Sequence, residues 1–342
     1  MTLPAEFHEI AKRVNNWGRW GPDDEAGTLN LITPQVLRDA AATVRSGRRI
    51  PLALPLRHDG VQTGAIPGRI NPLHAMTAVN HEFFGPGTVA VSDDAVTMGL
   101  QAATHWDGLT HVSHSGRLYN NRPADSVTAH AGAACLGVEK LPPVVSRGIL
   151  LDVARARHAE DGTTGTTGTT GTTGTTGTDG TDGSGPGSAD RAVGRLAGAR
   201  PVTPEDLEAA EDLAGTRVRP GDIVLVRTGQ IQHYLAGDRQ AYAFPSPGLS
   251  IRTPEWFHAR DVAAVANDTL TFEIFPPEVK DLWLPVHALH LVEMGMLQGQ
   301  NWNLEELSRA CAEEGRYTFF LSAPAEPFVG AAGAPVAPVA VL

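Results

Sequence analysis

The chain has 342 residues and a net charge of −11, with 42% hydrophobic residues, 19% charged residues and two cysteines. The acidic balance argues against a nucleic-acid backbone or an anionic membrane as partner, because both call for clustered cations, and no stretch reaches the roughly 18–20 apolar residues that span a bilayer. Cys135 and Cys311 are too few for a disulfide framework or a cysteine-based zinc site.

The opening MTLPAEFHEIAKRVNNW has helical spacing over residues 4–17 and no apolar signal core, so the expected location is the cytoplasm. Thr33 and Pro34 predict the cap and first turn of a helix reaching about Val44. Short strands are expected over 50–56 and 88–91, and GILLDVA (148–154) has the apolar run of a strand buried on both faces. Residues 162–187 read GTTGTTGTTGTTGTTGTDGTDGSGPG, a composition with nothing to bury. They predict a mobile insert within one domain covering 1–342.

Beyond the repeat, Thr203-Pro204-Glu205-Asp206 opens a helix to about Leu213. IVLVR (223–227) predicts a buried strand, Thr253-Pro254-Glu255 a helix start, and 262–266 a short strand. Residues 285–294 and 303–313 read as helices, the second capped by Asn303, and 317–321 as a late strand. The closing VGAAGAPVAPVAVL is expected to lack regular structure, its apolar end packing back or meeting another subunit. Mixed strands and helices favour an α/β domain.

Thirteen histidines supply the chemistry, and their grouping matters more than their number. His105 and Asp107 lie two apart, so an extended chain presents both on one side, a pairing suited to a divalent cation. His111 follows within reach of such a site and could carry protons. The alternative is a plain His–Asp hydrogen bond with His111 on a backbone carbonyl. A second group, His287, His290 and Glu293, has spacing that would bring neighbouring helical turns together; an amphipathic helix with exposed imidazoles is the alternative. Asp268 and Glu273 flank a possible strand end, NDTLTFEIFPP, where they are expected in solvated or capping roles, with lining a site as the alternative. No GxGxxG, GxxxxGK[ST] or GxSxG is present to anchor dinucleotide, P-loop or serine-hydrolase chemistry.

The run Thr104-His105-Trp106-Asp107-Gly108-Leu109-Thr110-His111 resembles the THxDxxxH portion of the motif HxGTHxDxxxH of the cyclase family that includes bacterial kynurenine formamidase and isatin hydrolase. WGPDDEAGTLNLITP (20–34), RGILLDVA (147–154), RPGDIVLVRTG (219–229), PVHALHLVEMG (285–295), NLEEL (303–307) and the terminal GAPVAPVAVL extend the likeness over nearly the whole chain, in the family's longer bacterial and fungal branch. The resemblance implies a swivelling β/β/α fold, a homodimer or homotetramer, and metal-dependent hydrolysis of a small amide, lactam or lactone. It also implies His105, Asp107 and His287 as metal ligands, with His290 a weaker match, and His111 as the proton shuttle.

Three positions depart from the family pattern. Gln101 replaces the first motif histidine, Gln300 stands at the late glutamate ligand, and Ala103 replaces a glycine. Two neutral donors make one Mn²⁺ or Zn²⁺ easier to hold than a two-metal centre, with Gln101 as a fourth donor. Trp106, Trp20 and Phe84 are candidate substrate contacts. Two other readings follow: a cyclase or dehydratase of secondary metabolism, and a catalytically silent ligand-binding homologue.

Overall fold

The apolar runs over 147–154 and 223–227 form neighbouring parallel strands at the centre of a nine-stranded sheet. The computed structural model describes residues 4–164 and 194–342; the expected insert at 162–187 lies largely outside them. In chain order the sheet strands are β1 Arg49–Pro51, β2 His105–Asp107, β3 Val145–Asp152, β4 Ile223–Arg227, β5 Ala264–Asn267, β6 Leu297–Gln300, β7 Thr318–Ser322, β8 Gly333–Pro335 and β9 Val339–Val341. Across the sheet they run β1-β9-β7-β3-β4-β5-β6-β2-β8. β3 to β6 are mutually parallel, and the flanking strands pair antiparallel.

Both faces of the centre are covered, which is why its strands read as unbroken apolar runs rather than as alternation. Ile149, Leu151, Val224, Val226 and Val265 point into one core with the helices Ala5–Val14, Pro204–Ala214 and Thr253–Ala259. Leu150, Ile223, Leu225, Ala264 and Ala266 point into the other, with Trp106, Trp302, Phe319 and the helix Glu305–Glu314. Thr203 and Asp206 close a reciprocal capping box at the start of Pro204–Ala214, as the sequence pattern predicts.

Three expectations need correction. The terminal segment is not irregular: β8 and β9 are both sheet strands, and Ala340 and Leu342 are fully buried. Small residues fit a tightly covered sheet, and Pro335 is tolerated because β8 is an edge strand. The strand sought at 88–91 begins only at Val91, pairing with Leu73–His81 in a separate hairpin that the sequence pattern did not announce. Most of its residues are exposed on both faces, so no alternation marks it. Residues 285–294 form one α-turn, Pro285–His287, followed by a π-helix, Ala288–Met294.

Gly148 lies opposite Phe319, and a Cβ there would fall 2.2 Å from the Phe319 ring. Gly148→Val is therefore expected to lower the free energy of unfolding by about 1–3 kcal/mol, measured by urea denaturation.

Candidate metal centre and adjoining cleft

Strand parity builds the site. Trp106 points into one core, so His105 and Asp107 emerge together on the opposite face. β6 pairs with β2 so that Gln300 opposes His105 and Gln298 opposes Asp107, placing two amides on that same face. Between them Gly299 opposes Trp106, where a Cβ would come within 2.6–3.0 Å of Trp302, Ala266 and Trp106. On the other side of β2, Gly333 opposes Asp107.

His105 and Asp107 have no exposed surface. His105 Nδ1 lies 2.7 Å from the Ala103 carbonyl, which fixes the ring proton there and leaves Nε2 as a lone pair. That lone pair faces Asp107 Oδ1 at 3.3 Å, and neither atom has a hydrogen-bond partner. Gln300 Nε2 donates to Asp107 Oδ2 and lies 3.3 Å from His287 Nε2; His287 Nε2 is 3.9 Å from Asp107 Oδ2. His111 Nε2 stands 3.5 Å from Asp107 Oδ1 and 3.4 Å from Arg69 Nη2. Burial pushes His111 down to about 4, against the pull of Asp107, so the ring is neutral at neutral pH.

Glu273 fills the capping role expected of it and lines the cleft as well. It is buried, not solvated, and accepts the backbone N–H groups of Val286 and His287 at 3.1 Å each, together with His287 Nδ1. One carboxylate thus caps the late helical segment and turns the His287 Nε2 lone pair toward Asp107. Asp268 is likewise buried, accepting Thr228 N and Oγ1 and Gly229 N. Both could have been suspected only from their place after a buried strand.

The His287–His290–Glu293 grouping does not hold. His290 is buried against Phe257 and Phe272, with both ring nitrogens unpartnered, and burial pushes it down to about 3. Glu293 turns away to accept from Asn15 at 2.7 Å. The π-helical winding removes the spacing on which the grouping rested. Among the described residues, no hydrogen bond joins the Gln101 side chain to His105, Asp107 or His287; its amide lies against Gly333.

A cleft of about 390 Å³ opens onto His111, His287 and Gln300. Ile66, Phe244, Leu270, Phe275 and Trp283 give it apolar walls, with Arg69 beside His111. Trp106 takes no part: it is fully buried on the far face, donating Nε1–H to the Ala323 carbonyl. Trp20 and Phe84 do not line the cleft either.

Among the described residues, no three His, Cys, Asp or Glu side chains are already gathered as a metal cage. Two donors nevertheless suit a cation. A tetrahedral shell with metal–donor lengths of roughly 2.0–2.2 Å spaces its donors about 3.3–3.5 Å apart, and the orphaned His105 and Asp107 atoms stand 3.3 Å apart.

The buried His105–Asp107 pair thus lies behind His111, His287 and Gln300, which line the apolar cleft. The putative cyclase family matches residues 50–274. A crystal structure of a novel cyclase superposes with a TM-score of 0.80 at 31% identity, covering 97% of this chain and 99% of that one. The chain belongs to the cyclase family. Isatin hydrolase A from Ralstonia solanacearum shares the fold at 18% identity, with a TM-score of 0.58 over 90% of this chain and 97% of its own. So does an isatin hydrolase bound to the product analogue thioisatinate, at 14% identity and 0.58, over 91% and 99%. No curated protein matches by sequence.

Removing Glu273 leaves two backbone N–H groups and an imidazole N–H without an acceptor. Glu273→Ala is expected to cost about 1–3 kcal/mol per orphaned group, read by denaturation. The His287 imidazole should also lose its single tautomer, read from histidine ¹⁵N shifts.

Proposed function

We propose that this protein is a metal-dependent hydrolase that adds water across a carbon–nitrogen or carbon–oxygen bond of a small amide, lactam or lactone. The observation that carries this reading is the facing pair of buried, unpartnered atoms, His105 Nε2 and Asp107 Oδ1. Two acceptors so placed, away from solvent, call for a cation between them. His105 and Asp107 would hold one divalent ion, Mn²⁺ or Zn²⁺. His287, oriented by Glu273, would be the third donor. Half a turn of the Gln300 amide would replace its N–H by an oxygen donor, whereas Gln101 is less well placed. Such an ion supplies Lewis acidity to a substrate carbonyl and to water.

The chain's own residues do the rest. His111 is neutral and borders the cleft, so it can take a proton from water at Nε2 and return it to the leaving nitrogen or oxygen. The apolar walls exclude bulk water and seat an aromatic or aliphatic body beside the reacting carbonyl. The substrate is a small molecule, and a homodimer or homotetramer is what the family resemblance implies. Among the described residues, no helix is long and apolar enough to cross a membrane.

One observation favours a second reading. The Gln300 N–H group already lies between Asp107 Oδ2 and His287 Nε2, where it satisfies acceptors that a cation would otherwise take. A metal-free binding protein on the family scaffold would look this way.

Metal content by plasma mass spectrometry separates the two. About one Mn²⁺ or Zn²⁺ per chain, lost in His105→Ala and Asp107→Ala, is expected of the hydrolase; no metal, even after reconstitution, would overturn it. An amide and lactone screen in ¹⁸O-labelled water then tests for oxygen incorporation. A cyclase or dehydratase would leave the label out of the product. His111→Ala should reduce turnover by roughly 10²–10⁴-fold while metal content stays unchanged. Equal loss of both would make His111 a ligand instead.

A further inference from the structure

Arg69 has no contact ion pair: burial disfavours its charge, and Asp107 acts on it only through space, beyond His111. Arg69 lines the cleft, Nη1 is buried with no hydrogen-bond partner, and Nη2 has only His111 Nε2 at 3.4 Å. Among the described residues, no carboxylate lies within ion-pair distance of it. A guanidinium stays protonated and offers five N–H donors, so removing it from water without an acceptor is unfavourable unless something else supplies one. The other charged side chain lining the cleft, Glu273, is already occupied by His287 and two backbone N–H groups.

The loop carrying Arg69 is held in place rather than free to fold the side chain out. Asn71 and Gln62 exchange two hydrogen bonds, of 3.1 and 2.9 Å, across its base. Gln62 Nε2 donates to the Ala102 carbonyl at 3.0 Å, and Gly99 N donates to the Ile70 carbonyl at 3.0 Å. These bonds tie the loop to the segment that enters β2, so the guanidinium and the His105–Asp107 pair share one frame.

We propose that Arg69 is the specificity-determining residue of the cleft and binds a carboxylate of the substrate, so that the molecule turned over is an apolar, ring-bearing carboxylic acid. This deepens the hydrolase reading and rests on it for the reaction, but not for the binding. A planar monoanion matches the guanidinium fork with two parallel N–H···O bonds. A phosphate dianion would bring more charge than this one cation balances, close to Asp107. The aromatic and aliphatic walls take the remainder of the molecule.

Equilibrium binding tests the assignment independently of turnover. Phenylacetate and 3-phenylpropionate would be titrated calorimetrically against the full chain, alongside their neutral amides. Each titration would use protein as purified and after chelator treatment, because a bound cation would itself attract a carboxylate. The acids should bind about tenfold or more tightly than the amides. R69Q should abolish that preference by weakening the acids more than the amides, and R69K should retain part of it, keeping the charge but losing the fork. Equal binding of acids and amides, no binding of either, or a preference that survives R69Q would overturn the proposal. So would a preference removed by chelator alone. Should R69Q fail to fold, R69K must still weaken the acids selectively. A protein that shows the Arg69-dependent preference yet turns over no amide or lactone would sink the hydrolase reading and leave this one standing.

Discussion

Full burial of the Asp107 carboxylate is the constraint around which this molecule is arranged. Asp107 has no exposed surface, and burying an ion is effectively worth several kcal/mol of penalty unless other groups offset it. Its Oδ2 accepts from the Gln300 amide and from Gln298 Nε2 at 3.4 Å, while the imidazoles of His105, His111 and His287 stand 3.3, 3.5 and 3.9 Å away and the Arg69 guanidinium reaches His111 rather than the carboxylate itself. His105 and His111 flank Asp107 in its own segment, whereas the amides and His287 come from distant ones, so the sheet register that joins β2 to β6 and the capping of the late helical segment both shape the surroundings of that charge. A one-residue slip of β2 against β6 would send Trp106 into the polar patch and Asp107 into the apolar core.

Glu273 shows how one group serves fold and site together. Its carboxylate meets the N–H groups of Val286 and His287, where a helical segment leaves donors unpaired, and the same oxygens hold the His287 ring. Helix start and imidazole direction are thereby coupled. The π-helical turn that follows sends His290 and Glu293 to different surroundings, so His287 is the member of that run which reaches the cleft.

Much of this was legible in the sequence where periodicity is short and burial one-sided or complete. The two-residue spacing of His105 and Asp107 anticipated their common face, and the apolar runs 147–154 and 223–227 anticipated central strands. The cap at Thr203 was plain from its own chemistry. What was not legible depends on other causes. β8 and β9 are made of Gly, Ala, Val and Pro, whose local preferences are weak or contrary, and only pairing with distant strands makes them regular. The exposed hairpin has no buried face to imprint a pattern. Helical spacing misgrouped His287 with His290 because a π-turn cannot be read from residue types. Arg69 has no local signature, and Glu273 only its place near a strand end, since their significance lies in what surrounds them.

His111 sits between two opposite demands. Its Nε2 lies 3.4 Å from the Arg69 guanidinium and 3.5 Å from Asp107 Oδ1. With a lone pair on that nitrogen the ring accepts from Arg69; with a proton there it faces Asp107 favourably. One nitrogen cannot do both at once, so the charge on either side biases the tautomer. An anion drawing the Arg69 N–H groups to itself would weaken their hold on the lone pair, while a cation beside Asp107 would oppose the proton. Binding at Arg69 in the cleft and at Asp107 behind it therefore acts on the same atom, and the proton-carrying capacity of His111 depends on how both places are occupied.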